Sequence, residues 1–188
     1  MRWQQLFADL QAQFEAEGAA EDRAVGASRA RAEMGAVDLV RRLRGSVGLP
    51  VALRCRGAGA VTGTLIDAGV DWVLLEDEQG RSLLVANAAV RTVAGLGRRT
   101  TPEETGVVRA RMDLRWALRG LARDRSAVQV VLDDGGLLTG TLDRVGADHV
   151  DLAEHPADLP RRAEAVQGVC AVVIAAIAVV RTLTPGLG

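Results

Sequence analysis

At 188 residues, with a net charge of −1 and a pI near 6.1, the chain has no global basic excess, so binding to nucleic acid or anionic lipid must come from a local patch. All 23 basic residues are Arg, with no Lys and no Tyr, which reads as the codon bias of a GC-rich bacterial genome and makes a bare Arg count uninformative. The longest apolar run, Val169 to Val180, is shorter than the about 20 residues of a bilayer span, and Cys55 and Cys170 sit in apolar stretches as buried thiols do, so a cytoplasmic protein with no membrane partner is expected.

The N-terminal segment, residues 1–45, predicts helix. Trp3, Leu6, Phe7, Leu10 and Phe14 recur at three- and four-residue steps and share one face. Gly18 interrupts this helix. A second helical stretch from about Ala19 to Arg44 carries Met34, Val37, Val40 and Leu43, and Gly45 ends it. The polar face of residues 1–18 is acidic, which suits packing on the protein or on a partner better than lying on a membrane.

From residue 46 to 97 the pattern changes to short alternations separated by glycines: Val51, Leu53 and Cys55, then Val61 to Leu65, Trp72 to Leu75 and Leu83 to Val93. Such alternation predicts antiparallel strands. Residues 98–125 form a linker and an Arg-rich helix. Thr101, Pro102 and Glu104 have the make-up of a helix start, and Leu114, Ala117, Leu118 and Leu121 share a face farther on. Residues 126–188 return to strands, through Val128, Val130 and Leu132, Leu138 to Leu142, Val150 and Leu152, and finally Cys170 to Leu183. A polar insert from His155 to Gly168 interrupts this second set, and long loops often carry function.

The stretch GTLIDAGVDWVLL (63–75) recurs without a gap as GTLDRVGADHVDL (140–152), a sign of internal duplication. A helix followed by five short strands, with G-x-L-x(3)-G-x-D-x-V-x-L crossing from the second strand to the third, resembles the Sm-like family of LSm and Hfq type. Gly63, Leu65, Val73 and Leu75 match its places, as do Gly140, Leu142, Val150 and Leu152. The resemblance implies an α+β chain, mainly β with helices: two tandem five-stranded Sm-like barrels, each preceded by a helix, plus the N-terminal amphipathic helix. It also implies homo-oligomers that join through strand edges and bind single-stranded RNA. The family's motif acid falls on Gly69 and Gly146, with Asp71 and Asp148 two places on, and its basic second motif has no counterpart in LLVANAAVRTV or VVIAAIAVVRT.

Arg111, Arg115, Arg119 and Arg123 are spaced by four and form a slowly turning basic stripe on a helix, with Arg98, Arg99, Arg109 and Arg125 nearby. Eight Arg between residues 98 and 125 face only Glu103, Glu104, Asp113 and Asp124, a local excess suited to phosphates. Trp72 and His149 hold equivalent places in the repeat, where an aromatic ring and an imidazole would stack on bases; Trp116, within the stripe, is a further aromatic. His149 and His155 are the only histidines, and no phosphate loop, G-x-S-x-G or Cys-x-x-Cys is present, so neither an enzyme nor a cofactor or metal site is expected. The expected function is non-enzymatic binding of single-stranded RNA or another nucleic acid by an oligomer. The alternative is a protein-interaction or scaffold module, with a partner held through the N-terminal helix.

Overall fold

A computed structural model describes residues 25, 26, 28, 35–101, 112–156 and 166–183. Backbone contacts divide the chain into Met1–Asp38 and Leu39–Gly188, and all ten described strands lie in the second unit. The helix expected over residues 1–18 falls outside the described residues. So do Pro102, Glu104, Arg109 and Arg111, and residues 157–165 of the polar insert.

The second unit opens with helix α1 (Leu39–Arg44), which places Leu43 in the core. Five strands follow: β1 (Pro50–Cys55), β2 (Gly59–Ala68), β3 (Trp72–Glu76), β4 (Ser82–Ala86) and β5 (Val90–Ala94). Helix α2 (Leu114–Asp124) then leads into β6 (Ala127–Leu132), β7 (Leu137–Val145), β8 (His149–Glu154), β9 (Gly168–Val173) and β10 (Ile177–Thr182). Successive side chains of a strand point to opposite faces of the sheet, as the pleat requires. In β1, Val51, Leu53 and Cys55 point inward and Ala52 and Arg54 outward. The long strands β2 and β7 each shift register once, between Leu65 and Asp67 and between Leu142 and Arg144. An extra residue bends the strand at such a point, and each strand pairs with the next one, β3 or β8, on both sides of it.

The two sets of strands do not form two Sm-like barrels. All ten belong to one antiparallel sheet in the order β5-β1-β2-β3-β4-β10-β6-β7-β8-β9, and its flanks are β5 and β9. The recurrence at 63–75 and 140–152 therefore does not mark two independent barrel units; both stretches are strands of a single open sheet. The physical reason lies at the seam. Val85 pairs with Val179 and Leu84 with Val180 where β4 meets β10. Over Leu83–Ala86 and Ile177–Val180 both strands are apolar on both faces, so each feeds two cores. Leu83 and Val85 join Ala178 and Val179 around Leu43, Leu53, Leu65 and Leu75. Leu84 and Ala86 join Ile177 and Val180 around Trp72, Leu118, Leu142 and Leu152. A strand with two apolar faces cannot end a solvated sheet, and the sheet runs through it.

The helices are also corrected. The described residues 25, 26, 28 and 35 are helical, but residues 37 and 38 are not, so the helix that leads into β1 is the six-residue α1, and α2 begins at Leu114, capped by Asp113. Thr101 is not helical, its amide on the Arg41 carbonyl, and the rest of the expected helix start lies outside the described residues; residues 112 and 113 are not helical, so α2 does not continue from it. Cys55 is buried as expected, whereas Cys170 is only half-buried. No helix among the described residues is long and apolar enough to cross a membrane.

Candidate nucleic-acid interface

Helix α2 is fixed at its start by two neighbouring residues of the first strand set. The Asp71 carboxylate accepts from the Leu114 amide at 2.7 Å, one of the orphan donors of a helix N-terminus, and the Trp72 Nε1–H donates to the Met112 carbonyl at 2.8 Å. Asp113, in extended conformation, caps the helix by accepting from the Trp116 amide at 2.8 Å. Leu114 and Leu118 are buried against the sheet, with Ala117, Leu121 and Ala122 packed beside them. The helix ends at Arg125, which takes the left-handed conformation (φ 51°) where glycine is usual.

The opposite side of α2 carries the exposed residues. Trp116, Arg119 and Arg123 fall at i, i+3 and i+7 and form one ridge. Arg115 is not part of it. Its guanidinium is spent on the Asp113 carboxylate, at 3.1 and 3.0 Å, and on the Ala147 carbonyl at 3.2 Å. Burial pushes the Asp113 carboxyl up, but the Trp116 amide, the Arg115 side chain and the charges of Arg115 and Arg119 outweigh it and hold it below the ordinary Asp range. Arg111, the remaining member of the expected stripe, lies outside the described residues. Arg98 and Arg99 are exposed, outside any helix.

The two aromatic candidates differ. Trp72 is 3% exposed and sits in the second core, where no base can reach either face of its ring. Its indole lies over Gly69, where a β-carbon would collide with Nε1. His149 stands over Gly146 in the same way but is half-exposed, and its Nδ1 meets the Asp148 carboxylate at 2.9 Å. That hydrogen bond lowers the Asp148 carboxyl. The exposed aromatic of the region is Trp116. It is 48% exposed and stacks on Trp72 with ring centroids 6.4 Å apart and planes 14° from parallel. A buried indole thus holds an exposed one flat. Beside the pair runs a groove of about 210 Å³, whose walls include Leu74, Gly120, Leu121 and Val180.

His155, at the start of the polar insert, is buried, with Nε2 on the Thr141 hydroxyl at 2.8 Å and Nδ1 on the Pro156 carbonyl at 2.9 Å. Both ring nitrogens have partners, so it serves the end of β8 rather than a site. Trp116, the further aromatic of the Arg-rich helix, is the exposed ring, whereas Trp72 is buried. The signal for it was in the sequence: Trp116 falls on the face of α2 opposite Leu114, Leu118 and Leu121.

Compared with models of known protein families the chain matches none, and it matches no curated protein.

Proposed function

We propose that the chain is a non-enzymatic protein that binds single-stranded nucleic acid, RNA in the first instance, through the exposed ridge of α2. The observation that carries this reading is the Trp116 indole, braced by Trp72 and set on the same helix face as Arg119 and Arg123. A base stacks on the outer face of Trp116, and the flanking phosphates meet Arg119 and Arg123, with Arg125 at the helix end. Stacking of this kind contributes about 1–3 kcal/mol per base and tolerates any sequence. The two free cysteines suit a reducing cytoplasm.

The test is fluorescence anisotropy of a labelled single-stranded RNA pool titrated with nuclease-treated protein. Three phosphate contacts give a slope of log K against log salt of about −2, so binding weakens by an order of magnitude between 50 and 200 mM salt. Arg119→Glu with Arg123→Glu abolishes binding, and Trp116→Ala weakens it about tenfold or more. A folded protein that binds no RNA at 50 mM salt sinks the reading.

A further inference from the structure

The two flanking strands each repeat the position of a strand that is sealed at the seam. β9 stands to β8 as β4 stands to β3, with Val173 opposite His149 where Ala86 is opposite Trp72. β5 stands to β1 as β10 stands to β6, with Val93 opposite Leu53 where Val180 is opposite Val130. What differs is the chemistry of the edges. After Ile177, β10 places Ala178 fully buried in the first core, whereas after Val90, β5 places Arg91, exposed and hydrogen-bonded to the Ala88 and Val90 carbonyls at 3.0 and 3.3 Å. A joint built on β5 in the seam's geometry would bury this charge, a cost that guards the edge.

β9 carries no such guard. Its six residues, Gly-Val-Cys-Ala-Val-Val, include no charge, no Pro and no register shift against β8, the devices that keep sheet edges apart. Cys170 and Val172 pack toward the second core, whereas Val169, Ala171 and Val173 are exposed on the other face, the two valines 63% and 55% exposed. Among the described residues no strand but β8 pairs with it.

We infer that β9 is a self-association edge: two copies of the chain pair β9 against β9, antiparallel, about a two-fold axis through Ala171. In that register Val169 of each copy lies opposite Val173 of the other, and Ala171 lies opposite its own mate. The exposed residues of the strand are thus complementary to themselves, as a two-fold interface requires. Cross-strand valine pairs gain contact that a lone edge lacks, the free backbone row is satisfied, and two ten-stranded sheets become one. The occupant is a second copy because a pairing centred on Ala171 brings valine to valine at both ends and meets no charge. This dimer does not depend on nucleic-acid binding, since the ridge of α2 takes no part in it.

The experiment is light scattering on the nuclease-treated full chain, whose single-copy mass is 19.8 kDa. The expected mass is that of a dimer. Val169→Asp with Val173→Asp gives a monomer with unchanged far-ultraviolet circular dichroism, and Arg91→Ala leaves the dimer as it is. Ala171→Cys in a Cys170→Ser background forms an intermolecular disulfide under mild oxidation, while Cys170→Ser alone does not. A wild-type monomer overturns the inference, as does a double Asp variant that remains a dimer. A trimer or larger ring, the mark of β9 joined to β5, overturns it too.

Discussion

Trp72 and Trp116 come from different parts of the chain, β3 and α2, and meet as a parallel pair in which one indole is buried and the other half-exposed. The pair ties the helix to the sheet and presents a flat apolar surface to solvent. Removing each member has a different effect. Trp72→Ala opens a core cavity and frees the Met112 carbonyl, so it destabilises by about 3–5 kcal/mol. Trp116→Ala loses chiefly the stack, about 0.5–1.5 kcal/mol. Urea unfolding followed by far-ultraviolet circular dichroism separates the two, and equal losses would show that the buried indole has no special role.

The cap of α2 makes stability depend on pH in one direction. The folded Asp113 carboxyl titrates below its unfolded value of about 3.9. Between the two values the unfolded chain binds more protons, so stability rises with pH there. The contribution is complete above the unfolded value and is lost as pH falls through the depressed one. Asp113→Asn keeps a capping oxygen but no charge. Its urea midpoint lies below that of the wild type at pH 7, and the gap narrows as pH falls through the depressed value; a gap that stays constant would locate the effect elsewhere.

Two glycine substitutions have opposite signs. In β7 a β-carbon on Gly140 would run into the Ala153 carbonyl of the paired strand, backbone against backbone, so Gly140→Ala destabilises by about 1–3 kcal/mol or more. Gly120 lies inside α2 with nothing within 4 Å of a β-carbon. Gly120→Ala therefore stabilises by about 0.5–1 kcal/mol, because alanine has less backbone freedom to lose in a helix. Thermal midpoints of the two variants should fall on either side of the wild type.

Local pattern determined much of this molecule. The alternation of Val51, Leu53 and Cys55 is the inward face of β1, and the spacing of Leu114, Leu118 and Leu121 is the packed face of α2. Periodicity alone suffices there, because a pleated strand or a helix turns its side chains at a fixed angle. The exposed ridge of Trp116, Arg119 and Arg123 follows from the same arithmetic. The sequence also shows 63–75 repeated at 140–152, but a repeat specifies similar strands and not their neighbours.

Only the tertiary structure decided which strands pair. In SLLVA of β4 and IAVV of β10 both faces are apolar, and a sequence cannot say whether such a run closes a small barrel on itself or seals against a distant strand. Here Val85 meets Val179, 94 positions away in the numbering, and ten strands become one sheet. The fates of the charged and aromatic candidates were set in the same way. Trp72 is lost to the core because α2 lies over it, Arg115 is spent because its own cap residue is an acid, and Trp116 is left outside. Burial depends on what packs against a residue from elsewhere in the chain, and no local window of sequence contains that information.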